Sequence, residues 1–253
     1  MSPSEVSAGP ALKAVDHALC RSALWEALAL GFRRPTDETL ARLASHEGAT
    51  ALAEAAEALD EVDLAACVRA LPDVPVLSRA TLESAYDRLF GHTARGAVAP
   101  YETEYGEDSP FLPQREMSDI AAFFRAFGLV LRPDARERLD HLACECEFML
   151  VIARKKAYAL RMHDGVMLEE TRRAARLFLR DHLGRWAPAF SRKLLREDAG
   201  GFYGALGSLC VTFVAIECRR AGVPAGPELL RLRSTETADV PMACGRSPEA
   251  GGP

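Results

Sequence analysis

The chain lacks most of the signatures by which a sequence announces chemistry. Its seven cysteines are odd in number and form no Cys-x-x-Cys pair, which leaves no disulfide framework and no standard zinc or dithiol motif. Buried thiols in a reducing compartment are the expectation. The N-terminus has no basic stretch followed by an apolar run, so no export signal is read and the cytoplasm is the expected location. The longest uncharged apolar stretch, LCVTFVAI from Leu209, is too short to span a bilayer. A surplus of positive charge is also missing. The formal net charge of −5 argues against nucleic-acid binding, which draws on basic patches, and leaves room for a cationic partner. No phosphate-binding glycine loop, serine-centred elbow or paired-carboxylate signature appears. No segment alternates with period two between turn signals, so no sheet is expected.

What is present is helical periodicity. From Cys20, the positions Leu24, Ala27, Leu28 and Gly31 follow one face, ended by Gly31 and Pro35. Residues 35–71 are rich in Ala, Glu and Leu and read as two or three short helices. Leu82, Tyr86, Leu89 and Phe90 form the next stripe, with Gly91 as its cap. Met117, Ile120, Ala121, Phe124 and Phe127 repeat the pattern, closed by Gly128. The longest helix is expected over 135–160, with Asp134 and Glu137 as a capping box. Helices over 168–182 and 202–221 follow. The fold class is all-α, a single helical bundle over 14–221. A flexible N-terminus, 1–13, precedes it, and a tail over 222–253, dense in Pro, Gly, Ser and Thr, is read as mostly disordered. Residues 91–113 are expected to form a long loop, and loops of that length tend to carry function.

The stretch ARERLDHLACECEFM (135–149) gathers Asp140, His141, Cys144, Glu145, Cys146 and Glu147. On a helix Cys144 and Cys146 diverge, because neighbours on one face stand three or four apart, and Cys146 falls on the apolar stripe. His141 and Glu145 share a face, but no second histidine and no third ligand accompany them, so no metal is expected. A catalytic cysteine wants an electropositive setting, and Cys144 has carboxylates around it. The bland alternative is a solvated acidic face. Trp186 and Phe190, at helical spacing, read as core, and His182 as an ordinary core or surface histidine.

Four segments taken together resemble the TorD/DmsD/NarJ family of redox-enzyme maturation chaperones: YDRLFGH, PYETEYG, EMSDIAAFFRAFGLVL leading into RERLDHLACECEFM, and HLGRWAPAFSRKLLREDAGGFYGALGSL. Their order and spacing carry the likeness, which covers about 81–221. One departure is Leu139, where family members often have proline before Asp-His. On that basis the helix should begin early and hold Asp140 in its second turn. The resemblance implies an all-helical chaperone, monomeric or a weak, helix-swapped dimer, with no catalysis and no cofactor of its own. Its implied partner is the apo catalytic subunit of a molybdopterin oxidoreductase of the dimethyl sulfoxide reductase superfamily. That subunit would be bound through its twin-arginine signal or N-terminal segment, its cofactor inserted and its export delayed. A chaperone of a membrane-anchored, non-exported subunit is the alternative within the family, and a small helical metal or redox enzyme the alternative outside it. The residues expected to bind the client are Asp140, His141 and Glu145, with Pro100, Tyr101, Glu104 and Tyr105 in the loop and Phe90 at the groove floor. Carboxylates take a guanidinium in a two-pronged bond that lysine cannot imitate, and tyrosines wall an apolar segment or stack on arginine.

Overall fold

The computed structural model describes residues 8–71, 78–91, 96–109, 111–131 and 137–234. The expected cap at Asp134, the free thiol Cys244 and the far ends of both expected flexible segments lie outside them. Among the described residues there are ten α-helices and no strand. They are α1 (Ala8–Gly31), α2 (Asp37–Thr39) continuing into a π-helical turn (Leu40–Ala44), α3 (His46–Glu57), α4 (Val62–Arg69) and α5 (Arg79–Phe90). The second half holds α6 (Leu112–Ala126), α7 (Leu142–Arg161), α8 (Gly165–Asp181), α9 (Leu183–Glu197) and α10 (Phe202–Ala221).

The bundle is organised around α7, which is buried almost all round: Leu142, Cys146, Phe148, Met149, Ile152 and Ala157 are all enclosed. A helix apolar on every side needs neighbours on every side. Antiparallel α1 covers one flank, and α8 and α9 cover the others. Ion pairs from Arg33 to Glu147 and from Arg154 to Glu26 set the α1–α7 register. Helix α6 is held to this centre by rings: Phe124 stacks on Phe148 with centroids 5.3 Å apart, and Phe123 meets both Phe148 and Phe178 edge-on. Removing one such ring from a core costs about 3–5 kcal/mol, enough to fix α6 in place. Helix α10 is long and apolar enough to cross a membrane by length and composition, but Phe202, Tyr203, Leu206, Leu209 and Phe213 are buried in the bundle.

Three expectations need correction. The long helix begins at Leu142, with His141 as its N-cap, so Asp140 sits in the preceding turn and not in a second helical turn. The cause is local: the His141 ring accepts the Ala143 N–H at 3.1 Å, and the backbone before it is diverted to pair with the loop at 100–102. A separate helix, α9, stands where only the spacing of Trp186 and Phe190 had hinted at one, split from α8 by a sharp turn at His182. At the ends, α1 already starts at Ala8, and the first part of the expected tail, residues 222–234, lies against the body. That last feature follows from a proline. Pro188, inside α9, has no N–H for the Gly184 carbonyl four residues back, and the Gly226 N–H takes that carbonyl at 2.8 Å. The approach is so close that a Cβ on Gly226 would lie 2.0 Å from the Arg185 carbonyl oxygen.

Candidate functional site

The loop PYETEYG is not loose. Its core, Glu102–Glu104, is a 3-10 turn, and the segment is gripped along both edges by extended backbone. On the inner edge Leu142 N–H donates to the Pro100 carbonyl and Glu102 N–H to the Asp140 carbonyl, both at 2.9 Å, making a Tyr101–His141 bridge. On the outer edge Gly106 N–H donates to the Arg231 carbonyl at 2.8 Å and Arg233 N–H to the Glu104 carbonyl at 2.9 Å, around a Tyr105–Leu232 bridge. These short pairings join residues some 40 to 130 positions apart, too irregular to count as a sheet.

Asp140 is 0% exposed. Its Oδ2 accepts from the Thr103 hydroxyl at 2.7 Å and the Thr103 N–H at 3.2 Å, and Arg138 grips both oxygens, at 3.0 Å and 2.6 Å. The Arg138 guanidinium also lies over the Tyr101 ring, 4.5 Å from its centroid, with its side chain 48% exposed. Carboxylate, hydroxyl and aromatic face together make a complete guanidinium cradle, open to solvent on one side. Tyr101 in turn donates its hydroxyl to Glu137 at 3.0 Å.

His141 is wholly buried, its ring edge-on to Tyr101 at 5.1 Å. Burial lowers its pKa to about 4, so the ring is neutral near pH 7. With Nδ1 accepting the helix N–H, the proton sits on Nε2, which is buried with no hydrogen-bond partner and lies 3.8 Å from Glu137.

Behind the loop lies a second charged layer. Glu102 accepts from Arg185 at 2.6 Å and faces His182 Nδ1 at 3.1 Å. Glu116 accepts from Arg185 at 2.9 Å and from Arg233 at 2.7 Å. Glu145, on α7, is enclosed and turns both oxygens to the Trp186 indole N–H at 3.2 Å. Burial first, and then the neighbouring Glu102 carboxylate, push the Glu145 pKa well above the usual carboxyl range. Around it three guanidiniums (Arg138, Arg185, Arg233) face three carboxylates (Asp140, Glu102, Glu116). The guanidiniums and carboxylates are paired, as a buried network requires.

Of the residues expected to bind a client, Pro100, Tyr101, Glu104, Tyr105, Asp140, His141 and Glu145 are brought together here. Phe90 is not beside them. It packs against Tyr203 and Phe190, and Phe190 and Trp186 form a chain of rings from it to Tyr105. Asp140 and Glu145 are not surface carboxylates, whereas Glu147, on the same stretch, is about half exposed. Cys144 is buried, its thiol pushed up to about 12 by that burial. The sequence reading did not single out Arg138, Thr103, Glu116, Arg185 or Arg233; the first four lie inside the quoted motifs, and only Arg233 lies outside them. Among the described residues, no group of three or more His, Cys, Asp or Glu side chains is placed to hold a metal ion. Beside the charged layer a cleft of about 780 Å³ runs between α6 and the α8–α9 turn, lined by Leu112, Ala122 and Phe123 as well as Arg115, Asp119 and His182.

A helical body whose polar centre is a set of paired arginine cradles next to an amphipathic cleft defines a binding protein, not one built around a reactive group. The chain belongs to the nitrate reductase delta subunit family, whose model matches residues 40–192. It is 36% identical over 138 residues to a selenate reductase assembly chaperone protein of Thauera selenatis, covering 53% of this chain and 69% of that protein. It is 34% identical over 141 residues to a chlorate reductase assembly chaperone protein of Ideonella dechloratans, covering 54% and 71%. A chaperone protein TorD of Vibrio cholerae is 29% identical over 198 residues, covering 75% and 86%. The family is one of assembly chaperones, not enzymes, and the reading as a small metal or redox enzyme falls with it.

Proposed function

We propose that this chaperone holds the arginine-bearing N-terminal segment of a molybdopterin oxidoreductase catalytic subunit, of the dimethyl sulfoxide reductase superfamily, in the cytoplasm. It keeps the apo subunit from export until the cofactor is inserted. The relatives named for selenate and chlorate reductases support a client of that kind. The observation that carries the reading is the cradle at Asp140. Its carboxylate, the Thr103 hydroxyl and the Tyr101 ring match a guanidinium in charge, fork geometry and stacking, and the group now in it, Arg138, is half exposed and exchangeable. A client arginine takes the place of Arg138, and the apolar residues that follow lie along the cleft by Phe123. His141 and Glu145 support the cradle from behind and do not touch the client.

The test is a four-way titration calorimetry experiment. A synthetic peptide with two adjacent arginines followed by leucines, and its double-lysine version, are each titrated into wild type and Asp140→Asn. Truncating one partner of a sheltered charge pair costs roughly 2 kcal/mol or more, on the order of a thirtyfold loss of affinity. Asp140→Asn should therefore weaken the arginine peptide about thirtyfold, and the lysine replacement should cost little further on that variant. Because Arg138 and Thr103 also lose a partner, the variant should melt earlier, by about 1–3 kcal/mol of stability, so binding is measured well below its melting point. Strictly additive losses would show that Asp140 and the client arginines do not meet.

A further inference from the structure

The outer edge of the 100–106 segment is occupied by the chain's own residues 231–234, and the manner of occupation points to what else sits there. Arg233 is 7% exposed. Its guanidinium donates to Glu116 at 2.7 Å and 3.1 Å, to the Thr103 carbonyl at 2.7 Å and to the Glu107 carbonyl at 2.9 Å. The backbone beside it pairs with Glu104 and Gly106 in an isolated antiparallel bridge. Gly106 makes room, since at φ +113 a Cβ there would lie 3.2 Å from the Arg233 guanidinium. Arg231 reaches Asp108 at 3.2 Å, and Leu230 and Leu232 are only partly buried. An extended arginine-leucine-arginine segment is thus read by backbone pairing and by a fork-shaped acceptor site. Both are recognition devices that work equally well in trans. The two guanidinium seats, Arg138's and Arg233's, flank the same residue, one bonded to the Thr103 hydroxyl and the other to its carbonyl.

We infer that residues 231–234 are an internal stand-in for a partner, and that the outer edge of the 100–106 segment accepts an extended, arginine-bearing segment that displaces them. The inference rests on the reading of this site as the client's seat and adds its gate: the client must expel the strap. The strap is light enough to leave. Apart from Arg233 it is held by backbone bonds at Arg231, whose carbonyl takes the Gly106 N–H, and at Gly226, by partly buried Leu230 and Leu232, by surface ion pairs at Arg192–Glu228 and Arg231–Asp108, and by an Asp108 contact to the Ser234 N–H. When it leaves, Glu116 keeps Arg185 at 2.9 Å and is not stranded. A tethered segment acts on its seat at an effective concentration on the order of millimolar, so the closed protein binds a free competitor weakly.

The probe is a fluorescein-labelled peptide of the strap itself, PELLRLRS, residues 227–234, used with the full chain. Fluorescence anisotropy should show Arg233→Ala binding it at least tenfold more tightly than wild type, because that variant's own strap no longer fills the seat. Replacing the peptide's second arginine by lysine should cost at least tenfold on the same variant. In wild type, hydrogen exchange should find the chain's own Arg233 amide protected, then labile when millimolar probe is added, while the Gly106 amide stays protected throughout. Equal affinity of wild type and Arg233→Ala, or an Arg233 amide that stays protected with the probe bound, overturns the inference; the exchange readout holds even if Arg233→Ala fails to fold. The two readings also part. If Asp140→Asn leaves the twin-arginine peptide unaffected while the probe still expels the strap, the inner cradle reading fails and this one stands. If the twin-arginine peptide binds through Asp140 with the strap still protected, the reverse holds.

Discussion

Replacing His141 by asparagine should make the protein less sensitive to acid, and the structure sets the size of the effect. The wild-type ring caps α7 through Nδ1 and is buried beyond the reach of water. Its pKa, lowered from 6.5 to about 4, means that the unfolded chain takes up a proton below pH 6.5 that the folded chain refuses until about pH 4. Stability is then complete above pH 6.5 and drains away as the pH falls through that window. At about 1.4 kcal/mol per pH unit, the ring accounts for about 3 kcal/mol of the acid loss. Asparagine keeps the capping acceptor, being among the best N-cap residues, and does not titrate. Its smaller side chain leaves the Tyr101 ring without its neighbour, so the variant starts lower at pH 7, by about 2 kcal/mol. Urea unfolding followed by far-ultraviolet circular dichroism, at pH 7 and at pH 4, gives the two differences. The wild type should lose about 3 kcal/mol more than His141→Asn between the two pH values. Parallel losses would refute the argument, because they would mean that the ring is already solvated and that other groups carry the acid sensitivity.

Glu145→Gln should be tolerated, since burial and the Glu102 carboxylate push the carboxyl it replaces toward its neutral form. A raised pKa costs the wild type stability as the pH climbs from the unfolded value of about 4.5 through the folded one, so the glutamine variant should gain on wild type between pH 5 and pH 8. A loss above about 2 kcal/mol at pH 8, the scale of a broken charged hydrogen bond, would instead mark a working carboxylate. The buried thiols Cys144, Cys146, Cys210 and Cys218, all with raised pKa values through burial, should resist a soluble disulfide reagent at pH 8 until the chain is unfolded. Rapid labelling of Cys144 in the native protein would contradict its placement.

Helix positions were legible because a 3.6-residue period is local: Leu82, Tyr86 and Leu89 announce α5, and Gly91 at φ 87 ends it where a glycine was expected. Helix α9 was less visible because its separation from α8 is a single residue, His182, with nothing in composition to mark it. The start of α7 was misplaced because helical propensity ran on through 135–141, while the backbone at Asp140 and Leu142 pairs with Glu102 and Pro100, a long-range choice with no local signature. Asp140 was found through a motif, but its role as half of an internal pair was not, because Arg138 and Thr103 become its partners only after the loop folds back. The strap was read as tail for the same reason. Its anchors, Arg233 to Glu116 and Gly226 to Gly184, join positions scores of residues apart, and only the proline in α9 carried a hint of a spare carbonyl.

The position of α7 has a consequence for how the chain reaches this state. Its flanking partner α1 must cross a separation of 114 residues to make the Arg33–Glu147 pair, and closing a loop of that length costs about 4 kcal/mol of chain entropy. Helices α8, α9 and α10 follow one another with short turns and pack on immediate neighbours, so their association is rapid by comparison. On contact order, residues 165–221 are expected to condense first, leaving the side of α7 that meets α1 to be covered later. The expected consequence is that closing α1 over the apolar side of α7 is the slow step of folding, so that a substitution at the α1–α7 contact slows refolding more than one at the α9–α10 contact.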